Sequence, residues 1–163
     1  MNVGDKIGVT LSTLGTFTLT AQVDKSNGLL IFMFDDCIKS DVMNSTSDTF
    51  PGYVFSDLML WLNNDFLFGE MPVDIRKKMV QIGIPSIEMI FGESDKNYES
   101  AEDQDTFELM TDAESRKSTD SYWLMNTKVD DETQYAIVNA DGELDELSML
   151  KTAGIRPVIT MIV

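Results

Sequence analysis

Gly154-Ile155-Arg156-Pro157-Val158-Ile159-Thr160-Met161-Ile162-Val163 is the stretch on which the fold turns. After Pro157 it is apolar and rich in β-branched residues, with Thr160 its one polar side chain. An apolar run of strand length without alternation predicts a strand buried on both faces. A chain that closes on such a run is expected to insert it in the core. Gly154 is expected to permit an unusual backbone angle, and Pro157 cannot donate to a ladder. Arg156, between them, is expected to pair with a carboxylate or with backbone carbonyls and so lock the start of the strand.

That strand needs neighbours, and Lys6–Phe34 supplies candidates. Lys6–Leu11 and Thr16–Val23 alternate with period two, placing Phe17, Leu19, Ala21 and Val23 on one face. Asn27-Gly28 is a strong hairpin signal, and Leu29–Phe34 leads out of it as an apolar strand. Asp35–Gly52 is polar, with Asn44–Thr49 and Pro51-Gly52 as loop signals. Ser56 has the character of an N-cap, and the spacing predicts a helix from Asp57 to Phe66 stopped by Gly69. Leu58, Leu62, Asp65 and Phe66 would share its inner face. Pro72 opens a second short helix, Val73–Val80, with Ile75, Met79 and Val80 inward.

Further along, Ile84–Phe91 reads as a strand, Gly92–Thr106 as an acidic solvated loop, and Phe107–Met110 as a short strand. Thr111–Asp120 is polar. Tyr122–Met125 is read as a buried strand. Gln134–Asn139 and Glu143–Leu150 flank Asp141-Gly142, a second hairpin signal that gives Gly142 a structural role. The expectation is one domain spanning residues 1–163, α+β, with antiparallel sheets and two short helices.

Charge narrows the function. Lys and Arg number 12 and Asp and Glu 28, a net charge of −16. Phosphate binding needs clustered cations, so nucleic acid and anionic membrane surfaces are poor partners. The balance is read first as solubility and resistance to self-association; a basic partner, or a cation held between carboxylates, is the sharper reading. One cysteine, Cys37, allows no internal disulfide, and the start of the chain lacks the apolar core of a signal peptide. No apolar run nears the ~18 residues that span a bilayer. Synthesis and folding in a cytoplasm are expected, with export only by a route such as lysis.

Catalytic patterns are scarce. There is no histidine, which removes the common nucleophile arrangements and the commonest zinc ligand. Asp95-Lys96-Asn97-Tyr98-Glu99 has the spacing of a calcium loop. Ser100 stands where glycine is needed and Thr106 where glutamate is needed, so the EF-hand reading fails. An irregular Ca²⁺ site there, or at Asp130-Asp131-Glu132, is the minor alternative to a hydrated face. Trp61, Trp123, Tyr122 and Tyr53 could stack a sugar, but Trp61 and Trp123 lie on apolar faces and are read as core. No other cofactor is implied.

In this order, the pieces resemble a domain family of unknown function common in gut Firmicutes and their bacteriophages. The matching residues are Leu29-Leu30; Ser56-Asp57-Leu58-Met59-Leu60-Trp61-Leu62-Asn63 with Phe66; Tyr122-Trp123-Leu124-Met125-Asn126; Val138-Asn139-Ala140-Asp141-Gly142; and Gly154-Ile155-Arg156-Pro157. They cover nearly the whole chain. The family has arginines where Met59 and Met125 stand here, so any ion pairs those arginines make are absent. The resemblance implies structural roles for Ser56, Trp61, Asn63, Trp123, Gly142, Gly154, Arg156 and Pro157. It also implies a C-type-lectin-like fold, with N- and C-terminal strands paired and long loops carrying binding. Formylglycine-generating enzymes share that class, but their chemistry needs a cysteine pair.

The expectation is a non-enzymatic virion surface protein of a bacteriophage, a capsid decoration protein or fibre-associated adhesin. It would be made in the host cytoplasm and touch other virion proteins, further copies of itself, or a host surface glycan or protein. A glycan- or protein-binding module of a bacterial surface system is the alternative. A carboxylate-based hydrolase is a third. Binding is expected in the loops Asp35–Tyr53, Gly92–Thr106 and Thr127–Thr133, through Tyr53, Asp95, Asn97, Tyr98, Glu99, Asp130 and Asp131.

Overall fold

A computed structural model describes residues 1–47, 52–101 and 105–163. The Asp48–Thr49 and Pro51 loop signals, and Glu102 and Asp103 of the acidic loop, lie outside the described residues. The chain opens as the expected meander, β1 (Lys6–Leu11), β2 (Gly15–Asp24) and β3 (Leu29–Phe34), each pair antiparallel. The alternation along β2 does not hold to its end. A register shift between Ala21 and Val23 turns Val23 to the opposite face from Leu19 and Ala21.

The terminal strand β10 (Val158–Ile162) sits inside the first sheet. It is antiparallel to β3 on one side and to β5 (Met79–Gly83) on the other, in the order β1-β2-β3-β10-β5. Ile159 and Met161 point into one core and Val158 into another, so burial on both faces is realised. The expected pairing of N- and C-terminal strands is corrected: β1 pairs with β2, and β10 takes β3 and β5. The chain supplies β3 because its six residues are all apolar, a strand made for a covered position.

The second sheet has the order β4-β9-β6-β7-β8. It is built from β4 (Lys39–Val42), β6 (Tyr122–Thr127), β7 (Gln134–Val138), β8 (Leu144–Ser148) and β9 (Thr152–Ile155). Its pairings are antiparallel except a parallel contact of β6 with β9 at Tyr122 and Gly154. Residues on one face of each sheet, including Phe32, Phe34, Trp123 and Tyr135, share one core. Residues on the opposite faces, including Met33, Tyr122, Leu124 and Ala136, share another with Ile87 and Ile90. Trp123 and Tyr135 meet edge to face at 6.1 Å, and the Trp123 indole N–H donates to the Asp41 carbonyl at 2.9 Å.

Four helices replace the expected two among the described residues: α1 (Asp57–Trp61), α2 (Val73–Arg76), α3 (Ile87–Phe91) and α4 (Ala113–Arg116). Ser56 caps α1, its hydroxyl accepting from the Met59 N–H at 3.1 Å. The helix then widens into a π-helix over Leu62–Glu70, running through Gly69. Asn63 and Asn64 donate their amides to the Met59 and Leu60 carbonyls, four residues back, just where the hydrogen-bond pattern changes. Leu58, Leu62 and Phe66 are buried as expected, whereas the wider turns leave Asp65 exposed.

Three strand or helix expectations fail. The helix from Val73 ends at Arg76, and Met79–Gly83 is recruited as β5, leaving Val80 exposed. Ile84–Phe91 is not a strand: Ser86 caps α3 and Gly92 closes it in the left-handed conformation. Phe107–Met110 is a turn anchored by buried Phe107.

Candidate functional site

Two parts of the surface bear on function. The first is the corner where the acidic loop meets β6. Tyr98 bridges to Lys128, the Glu99 N–H donates to the Thr127 carbonyl, and the Val129 N–H donates to the Asn97 carbonyl. Residues 95–99 thus extend the end of β6. This brings the second and third expected binding loops together, with Asp95, Asn97, Tyr98 and Glu99 beside Asp130 and Asp131.

Glu88 and Asn126 order this corner. One Glu88 carboxylate oxygen accepts from the Asn126 amide at 2.8 Å. The other accepts from the Ser94 hydroxyl and the Ala101 N–H. Asn126 is buried; its amide also donates to the Glu99 carbonyl, and its carbonyl oxygen accepts from the Ile87 N–H. Burial pulls the Glu88 carboxyl upward, but these hydrogen bonds win and hold it below the usual range. Neither residue stood out in the sequence as an organiser, because a Glu in an apolar run has no local mark of a distant partner.

The acidic side chains here mostly satisfy local backbone. Asp95 accepts from the Asn97 N–H, and Asp131 from the Thr133 N–H and hydroxyl. The Tyr98 hydroxyl donates to the Asp145 carbonyl at 3.3 Å. Burial, with Glu146, Asp95 and Asp145 nearby, pushes it up to about 12. Lys128 pairs with Glu146 at 3.0 Å. Among the described residues no three Cys, Asp or Glu side chains converge as a ligand set for a metal ion.

Tyr53 does not join them. It lies in a short 3₁₀ turn, Tyr53–Phe55, and its hydroxyl is buried near Gly83. Burial raises its pKa. As a surface binding residue it is therefore corrected: its polar end faces the interior.

The second surface is the turn and helix that follow. Val54, Leu60 and Phe68 are 68%, 63% and 66% exposed, and Val73 is exposed beyond them. Trp61 is half-buried: it packs against the core at Phe66, as read, and leaves part of its ring open. The Lys39 ammonium lies 4.1 Å over its ring and pairs with Asp41 at 3.1 Å. Two hollows adjoin the indole. One, of about 280 Å³, is lined by Asp41, Val42, Ser45, Asp57, Leu58, Trp61 and Ile155. The other, of about 380 Å³, is lined by Asp57, Leu60, Trp61, Asn64 and Asp65. Asp57 accepts from the backbone N–H and then the hydroxyl of Ser45, which hold its carboxyl below the usual range and so ionised.

The remaining conspicuous residues are framework. Arg156 is 4% exposed; its Nε donates to the Phe34 carbonyl at 2.8 Å, and its guanidinium stacks 4.9 Å from the Tyr122 ring centre. Of the alternatives for its partner, backbone carbonyls are what it takes. The Pro157 carbonyl accepts from the Phe34 N–H, so residues 156 and 157 together clamp the Phe34 peptide. The Tyr122 hydroxyl donates to the Arg116 carbonyl at 2.6 Å, and Arg116 in turn donates to the Gly142 carbonyl. The polar stretch 111–120, which carried no expectation, is therefore the clasp between β6 and the β7–β8 hairpin.

Comparison with family models, curated proteins and solved structures gives no match. No helix of the described residues is long and apolar enough to cross a membrane.

Proposed function

We propose that this protein is a non-enzymatic surface protein of a bacteriophage particle, a decoration or fibre-associated protein of C-type-lectin-like fold. It acts by contact with other proteins or a receptor. The observation that carries this is that Val54, Leu60, Phe68 and Val73, all within residues 54–73, are exposed, with Leu60 beside half-buried Trp61, on a chain of net charge −16. A highly charged surface keeps a protein dispersed, and a segment that exposes several large apolar side chains on it supports an interaction role there. The insertion of the terminal strand in the first sheet supports a lectin-like frame, with β3 and β5 rather than β1 as its partners.

Mass spectrometry of density-purified particles, with antibody labelling, tests the reading. The expected outcome is a fixed copy number per particle and labelling on the exterior. Recovery only in the soluble lysate, with none in particles, overturns it.

The half-buried indole beside Asp57, Asn64 and Asp65 favours a second reading, a glycan-binding module. A glycan array probed with the protein and with W61A separates the two. Glycan binding lost in W61A would support the second reading.

A further inference from the structure

The groove beside Trp61 already contains a small-scale version of its own ligand. Lys39 lays an ammonium on the indole at 4.1 Å, and Asp41 closes the contact at 3.1 Å. The indole is thus a seat for a cation backed by a carboxylate. The neighbouring hollow repeats the apolar wall, in Trp61 and Leu60, and the carboxylates, in Asp57 and Asp65, and among the described residues no Lys or Arg lines it. Leu60, 63% exposed, continues the wall outward.

We propose that this hollow docks a lysine- or arginine-bearing amphipathic segment of a protein partner. This rests on the protein-contact reading above and names the partner's chemistry. The methylene stem of the basic residue lies along Trp61 and Leu60, and its charged head sits between Asp57 and Asp65. Apolar residues of the same segment cover Leu60 and the exposed side chains beside it.

Charge selects this occupant. A second copy brings another −16 to the contact, so self-docking works against long-range repulsion. A nucleic acid or an anionic bilayer is repelled in the same way. A neutral sugar would leave Asp57 and Asp65 without a counter-charge. A basic protein segment satisfies the indole, the leucine and both carboxylates together.

The test uses the full chain and a synthetic amphipathic Leu/Lys peptide, with a Leu/Glu peptide of the same pattern as control. Trp123 is fully buried and Trp61 is not, so acrylamide quenching of tryptophan fluorescence reports on Trp61. The Leu/Lys peptide is expected to shield Trp61 and the Leu/Glu peptide to leave it unchanged. L60S and D65N alter exposed side chains and should leave the melting temperature unchanged. Each is expected to weaken binding about tenfold, as central contacts do. The double variant E108Q/D120N, on exposed carboxylates that line neither hollow beside Trp61, removes the same kind of charge and should cost less than about twofold, as exposed charge pairs do.

Equal weakening by D65N and E108Q/D120N would mean diffuse attraction to an acidic protein and would overturn the proposal. So would binding of the Leu/Glu peptide, glycan binding that displaces the Leu/Lys peptide, or a concentration-dependent dimer abolished by L60S. A protein found on particles that shows no such docking would sink this inference alone. Docking without any presence on particles would sink only the reading it rests on.

Discussion

At the scale of single residues, the two glycines marked in the sequence are required for different reasons. Gly142 has φ +78°, and a Cβ there would lie 1.9 Å from the Ala113 carbonyl oxygen. Gly154 is not left-handed, contrary to the expectation of an unusual backbone angle. Its hydrogen leaves room for the Cys37 thiol, 2.5 Å from where a Cβ would sit, and for the Ser121 carbonyl at 2.9 Å. G154A is therefore expected to lose about 1–3 kcal/mol by overpacking. Urea denaturation measures this; a variant as stable as the parent would refute the close-approach account. Asn126 offers a sharper case, because N126A strands the Ile87 N–H and the Glu99 carbonyl in one step. A loss of about 1–3 kcal/mol per buried group left unsatisfied is expected, with faster amide exchange at Ile87.

Glu88 adds a pH signature. Its folded pKa lies below the unfolded one. Its ionised form is therefore fully stabilising above an ordinary glutamate pKa of about 4.3. That contribution fades as the pH falls through the folded value. E88Q should be less stable than the parent at neutral pH, and the gap should narrow as both are acidified. Thermal melts across the acid range would reject this if the gap stayed constant.

At the scale of elements, the misread segments share a physical cause. Ile84–Phe91 is a short apolar run, and periodicity cannot separate a strand from a buried helix of that length. The caps could have done so: Ser86, within the run, and Gly92, after it, are the start and stop of α3. S86A should cost about 1 kcal/mol, the usual worth of a cap, and trim the helical signal of α3. Met79–Gly83 is different. Nothing local opposes helix there; β10 needs a partner on its second edge, and that long-range pairing overrides propensity. The π-helix was also hidden, since its widened turns need Asn63 and Asn64 to satisfy carbonyls that only the folded backbone exposes. For β10 itself, I159A removes a fully buried side chain between two strands and should cost about 2–5 kcal/mol. A smaller loss in guanidinium melts would mean that the strand is not held between β3 and β5.

At the scale of the whole molecule, −16 sets the behaviour in solution. The exposed ion pairs, such as Lys6–Asp35 and Lys25–Asp105, offset little of the self-repulsion. Raising the salt from low to physiological ionic strength, where the screening length falls to about 8 Å, should raise the melting temperature. A fall on adding salt would mean that local ion pairs outweigh the net charge.

The sequence by itself determined the strands whose pattern is local. These are the β1–β3 meander, the Asp141-Gly142 hairpin and the buried terminal run, each written in alternation, turn residues or an unbroken apolar stretch. It also determined the acidity, and with it the kinds of partner the surface repels. Only the tertiary structure decided which strands flank β10, that Asn126 and Glu88 tie the acidic loop to β6, and that Trp61 stands half-open beside Asp57 and Asp65. Those are pairings between residues far apart in the chain, and a hydrogen bond or a shared hollow between distant segments leaves no periodic trace in either one.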